Sequence, residues 1–138
     1  MKTKAIILFV IFALCLFSFV GCDDAIDKDT AKDTVVRFFK AVKAEDYAEA
    51  TALLHPENYF DVEKYVTEFE KKQSVDFQSD IVIKRFTGIS SSVYDSQVGG
   101  SRFALTMEMT VGLAPLTAEF EMVRNGSGYG IYSMNISR

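Results

Sequence analysis

The sequence predicts an α+β domain, with helices first and an antiparallel sheet after them. Two observations lead there. Between residues 30 and 74, apolar side chains return every three or four positions, as in helices that bury one stripe. From about Phe77 the period changes to two, and short breaks bearing Gly, Asn or Pro divide the rest into strands of a meander. The length suits a single domain, read here as residues 30–138.

The N-terminus stands apart from that pattern. Met1-Lys2-Thr3-Lys4 carries two positive charges and no acid, residues 5–20 are apolar except Ser18, and Gly21-Cys22-Asp23-Asp24 follows. A positive start, a short apolar run and a small residue at the cut define a secretory signal. The run falls short of the roughly 20 apolar residues of a spanning helix. It also stops against two aspartates rather than a basic cluster. On these residues, Phe19-Val20-Gly21-Cys22 resembles the lipobox of bacterial lipoproteins. The resemblance implies that residues 1–21 are a lipoprotein signal peptide and that Cys22 becomes an acylated, palmitate-type N-terminus. Residues 22–29 then form a lipidated tether. Asp23 falls where the enterobacterial sorting scheme reads retention at the inner membrane. The implied location is the cell membrane, with the domain facing the periplasm or the cell exterior. Such lipoproteins carry two or three acyl chains, enough for stable anchoring where one chain binds only reversibly.

Charge and cysteine content narrow the function classes. Losing Lys2 and Lys4 with the signal takes 15 basic residues to 13 against 19 acidic, a net charge of −6. That balance disfavours nucleic acid and any electrostatic hold on anionic headgroups, which leaves anchoring to the lipid. Cys15 lies in the signal and Cys22 is the acylation site, so no disulfide is expected. With His55 as the sole histidine and no thiol left over, a zinc-type metal site lacks ligands, and no cofactor is expected.

Along the chain, Asp29 or Thr30 is expected to cap the first helix, with Asp33 in its first turn. Val35, Phe38, Phe39 and Val42 form its apolar stripe, and Lys32, Arg37, Lys40 and Lys43 take the other face. Asp46 caps a short second helix with Tyr47, Ala50, Leu53 and Leu54 on one side, and His55-Pro56 ends it. Residues 58–74 read as a third helix capped by Asp61. Ile81, Val82, Ile83 and Phe86 mark a first strand, extended past a bulge to Val93 and Tyr94. Gly99-Gly100 turns the chain. Phe103, Leu105, Met107, Met109 and Val111 then alternate with Ala104, Thr106, Glu108 and Thr110. After a turn at residues 112–115, Leu116, Ala118, Phe120 and Met122 alternate with Thr117, Glu119 and Glu121. Asn125-Gly126-Ser127-Gly128 is a hairpin loop before the last strand, residues 129–136.

The opening Val35-Val36-Arg37-Phe38-Phe39-Lys40-Ala41-Val42, then Asp46-Tyr47-Ala48-Glu49-Ala50 and Leu53-Leu54-His55-Pro56, resembles the superfamily of nuclear transport factor 2 and ketosteroid isomerase. The resemblance runs over residues 30–136, and the chain is similar in particular to short lipoproteins of that superfamily. It implies a cone-shaped, cystatin-like fold whose helices cover a curved antiparallel sheet. The superfamily's isomerases pair an aspartate base with a tyrosine and a protonated acid lining the cone. Here Glu108, Glu119 and Glu121 alternate with apolar residues and point away from the core, so matching positions are absent.

His55, at a helix end before Pro56, reads as facing solvent or contacting the helix dipole rather than as a catalytic base. Phe38, Phe103, Met107, Met109, Phe120 and Met122 share the face under the first helix. They read as core, or alternatively as the lining of a small apolar pocket. Tyr129 and Tyr132 fall on opposite faces of one strand, so only one of them can rim such a cleft. Asn125-Gly126-Ser127 and Asn135-Ile136-Ser137 match a glycosylation sequon by accident. The expectation is a membrane-tethered, non-enzymatic binding or protein-interaction module with a protein partner in the envelope. The alternative is a carrier of a small apolar ligand inside the cone, and an isomerase-like enzyme comes third.

Overall fold

A computed structural model describes residues 25–138. The signal reading, Cys22 and Asp23 lie outside the described residues. Three helices are followed by four strands: α1 (Lys28–Lys43), α2 (Tyr47–Ala52), α3 (Val62–Gln73), β1 (Ile81–Asp95), β2 (Gly100–Val111), β3 (Ala114–Asn125) and β4 (Gly128–Ser137).

Helix α1 starts earlier than expected. Asp27, not Asp29 or Thr30, is its cap, and its carboxylate accepts from the amides of Asp29 (2.9 Å) and Thr30 (3.2 Å) and from the Thr30 hydroxyl. Asp29, not Asp33, is therefore the acid of the first turn. Ile26 is buried in the core. Residues 26–29 thus pack with the domain. An isoleucine among acids carries no periodicity, so nothing local announces its burial.

The end of α1 sets the sharp turn into α2. Glu45 adopts φ 55°, its amide donates to Val42 O (3.0 Å), and that of Asp46 reaches Ala41 O (2.9 Å). This is the paired-bond ending that satisfies the last carbonyls of a helix. Asp46 at once caps α2, accepting from Glu49 N at 3.0 Å. Asp61 caps α3 in the same way through Lys64 N at 2.9 Å.

The sheet is an open antiparallel meander in the order β1-β2-β3-β4. Every second residue of β2 from Phe103 to Val111 is buried, while the residues between are half-exposed. This is the alternation of a sheet with one face on the core. Three register shifts interrupt the β1–β2 pairing and one the β3–β4 pairing. The helices cover one face, where Phe38 and Phe39 of α1 meet Phe120 edge-on at 5.7 and 5.6 Å between centroids. The opposite face is polar. There Arg85 grips Glu108 with two bonds of 2.8 and 2.9 Å, and Asn135 donates to Glu119.

Candidate functional site

The six apolar residues that could have lined a pocket lie together in the core. Phe38, Phe103, Met107, Met109, Phe120 and Met122 are between 0% and 4% exposed and belong to one packed cluster. The space between helices and sheet is occupied by these side chains. Glu108, Glu119 and Glu121 stay on the other face, paired with Arg85, Asn135 and Arg102.

His55 is where sequence and structure part. The sequence places it facing solvent or against the helix dipole, and it is fully buried. The chain after α2 does not stop at Pro56 in solvent. It runs beside β4, where Ile131 N donates to Leu53 O (2.9 Å) and His55 N to Ile131 O (2.8 Å). Gly130 permits this approach, because a Cβ there would lie 2.5 Å from His55 N. The imidazole Nδ1 accepts the Glu57 amide at 3.1 Å, which puts the ring proton on Nε2. Nε2 then donates to Asn125 Oδ1 (3.1 Å) and Gly128 O (3.2 Å).

The network extends through Asn125, whose amide nitrogen donates to Val98 O (2.8 Å) and Glu57 Oε2 (3.0 Å). Its Oδ1 also accepts from Ser127 N at 3.0 Å. The Ser127 hydroxyl donates to Glu57 Oε1 at 2.6 Å. That bond first, and the one from Asn125 second, hold the Glu57 carboxyl below its usual range. The residue types of a hydrolase are present, but their bonds run elsewhere. Serine binds the carboxylate and histidine binds an amide, so no base–nucleophile pair forms. The cluster ties three loops together. The sequence signal for it was the placing of a lone histidine directly after Leu53-Leu54.

A groove of about 500 Å³ opens between α3 and β4. Phe60, Tyr65, Tyr132 and Met134 line it, with Asn58, Asp61, Lys64 and Glu68 around the rim. Tyr129 and Tyr132, expected on opposite faces, both turn toward the helical layer. Glu121 pairs with Ser133 and Met122 with Ile131, which leaves Tyr132 as an extra residue in β4. The slip resets the alternation. The Tyr129 hydroxyl meets Thr34 Oγ1 of α1 at 2.8 Å, and the Tyr132 ring lies edge-on to His55 at 5.5 Å. Burial raises the pKa of the Tyr129 hydroxyl, and the Thr34 bond partly offsets this. Asn58 donates to Tyr132 O, and Ile136 N donates to the Tyr65 hydroxyl at 3.1 Å. Side chains thus cap the free edge of β4.

Among the described residues, no group of three or more His, Cys, Asp or Glu is placed to hold a metal ion. No helix among them is long and apolar enough to cross a membrane. Fold and geometry define the class of the protein as α+β, with three helices packed on an open four-stranded antiparallel sheet. No protein-family model matches the chain, and no curated protein matches it.

Proposed function

We propose that this chain is a bacterial envelope lipoprotein, acylated at Cys22, whose domain is a non-enzymatic protein-interaction module of the cone-shaped nuclear transport factor 2-like kind. The observation behind the functional part is the filled interior. Phe38, Phe103, Met107, Met109, Phe120 and Met122 occupy the volume a cone would offer a ligand. The one buried histidine is committed to Glu57, Asn125 and Gly128. A domain whose described interior is filled by its own side chains acts through its surface. The anchor reading rests on the sequence of residues 1–24.

Two measurements test the proposal. Mass spectrometry of the mature protein should find acyl mass on Cys22, and an unmodified N-terminus at another residue overturns the anchor. Photo-crosslinking in intact envelopes should give discrete adducts from surface positions. Saturable uptake of a hydrophobic dye by the folded domain, abolished by Met107→Ala at little cost in stability, would favour a carrier instead.

A further inference from the structure

The two edges of the sheet are treated differently. The edge of β4 is covered by Leu53, His55, Asn58 and Tyr65. Among the described residues, the start of β1 has no such cover. Gly112 N donates to Asp80 O at 2.8 Å across the facing pair Ile81–Val111. That bond fixes the phase of the ladder, so Ile81 and Ile83 direct their N–H and C=O groups away from β2, out of the sheet. Beside them a groove of about 280 Å³ is lined by Ile81, Ile83, Val36, Phe39, Lys40 and Lys43.

We infer that this groove and edge take up an extended, acidic-apolar segment of a partner protein as a fifth strand. Backbone groups at Ile81 and Ile83 supply the ladder bonds, and apolar side chains of the segment fall onto the exposed Val36. The charge selects the partner. Lys32, Lys40 and Lys43 form a basic row along α1 above β1, with the Lys32 ammonium 4.3 Å from the Phe86 ring centroid. Lys43 is engaged with Asp80 at 2.9 Å. Lys40 has no ion pair among the described residues.

A second copy is the poorer occupant, because β1 against β1 would bring both lysine rows together. The pairing shifts after Ile83, which limits the straight edge to a few residues and favours a short segment over a long strand. The groove also lies at the end of the sheet away from Ala25, whose carbonyl accepts from Arg124. A domain tethered through that end presents the groove away from its own anchor.

This inference deepens the interaction-module reading and rests on it, yet the two fail separately. Acyl mass and envelope crosslinks test the module, whereas peptide binding tests the edge. The probes are three labelled heptapeptides that alternate valine with glutamate, serine or lysine. Fluorescence anisotropy with the purified full-length protein should show binding of the glutamate peptide only, weakened by salt. The Ile81 and Ile83 amide protons should exchange rapidly in the free protein and slow on binding. Lys40→Glu, at an exposed position, should leave the fold intact and weaken binding roughly three- to tenfold, the scale of replacing one exposed ion pair with a like-charge contact. Equal binding of all three peptides, no binding of the glutamate peptide, or protection at β4 instead of β1 overturns the inference. So does self-association through Ile81 and Ile83, or capture of the same face by anionic lipid vesicles.

Discussion

His55, itself fully buried, accepts at one ring nitrogen and donates at the other, so its shape and both bonds matter. His55→Phe keeps the bulk but removes the acceptor of the Glu57 amide and the donor to Gly128 O, while Asn125 Oδ1 keeps the Ser127 amide. We expect a loss of about 1–3 kcal/mol in urea unfolding, the cost of unsatisfied buried groups. An unchanged midpoint would show that water replaces the ring's bonds. Gly130 is demanding for a different reason. A methyl group there meets the backbone of Leu54 and His55, which cannot rotate away as a side chain can. Gly130→Ala should therefore part Leu54 from Ile131 and cost about 1–3 kcal/mol or more. Loss of amide protection at Ile131 would report the parting. The hydrogen bonds to Glu57 and Glu108 hold both carboxyls below the usual range, from Ser127 first for Glu57 and from Arg85 for Glu108. A group whose pKa is lower in the folded state adds stability above its unfolded pKa and loses it as pH falls through the folded value. Thermal melts should weaken on the acid side, and Glu57→Gln should flatten part of that slope.

Helix α1 depends on residues that its own periodicity does not reveal. Asp27 binds the first free amides, and Ile26 packs beneath. A chain beginning at residue 29 loses the cap, worth about 0.5–2 kcal/mol, and one buried isoleucine, about 1.5–3 kcal/mol. It should still fold, but melt well below a chain beginning at residue 25. Equal melting of the two would mean that residues 25–28 belong to the tether after all. In β2, Met107 is fully enclosed between α1 and the neighbouring strands. Met107→Ala should cost about 2–5 kcal/mol, as expected where a packed interior cannot collapse into the gap. A much smaller loss would place open space beside it. Strand β4 shows how one extra residue redirects an element, since the slip at Tyr132 turns two tyrosines toward the helices.

At the scale of the molecule, the asymmetry lies between the sheet's two edges and its two ends. One edge is closed by the chain after α2, the other opens beside a basic helix face. The end where the chain enters, at Ala25, carries the His55 network and the Asn125–Gly128 turn. The opposite end carries the β2–β3 hairpin, with Gly112 at φ 58° and Leu113 fully exposed at its tip. A leucine so placed has no packing role within the domain. Leu113→Ser should leave the unfolding midpoint unchanged within about 0.5 kcal/mol, as at other surface positions.

The sequence by itself determined the order of helices and strands, the caps at Asp46 and Asp61, the buried stripe of α1 and the inward face of β2 and β3. Each of these follows from local periodicity or from a side chain bonding its own backbone a few residues away. The sequence also contains the whole case for Cys22. Only the tertiary structure decided the burial of His55, the inclusion of Ile26 in the core and the common side of Tyr129 and Tyr132. The placing of His55 and the tyrosines depends on partners 70 or more residues away, such as Asn125 for His55, and on a register slip that period-two reasoning has no means to see. The open edge at Ile81 and Ile83 belongs with them, because an edge exists only relative to the strands that are paired.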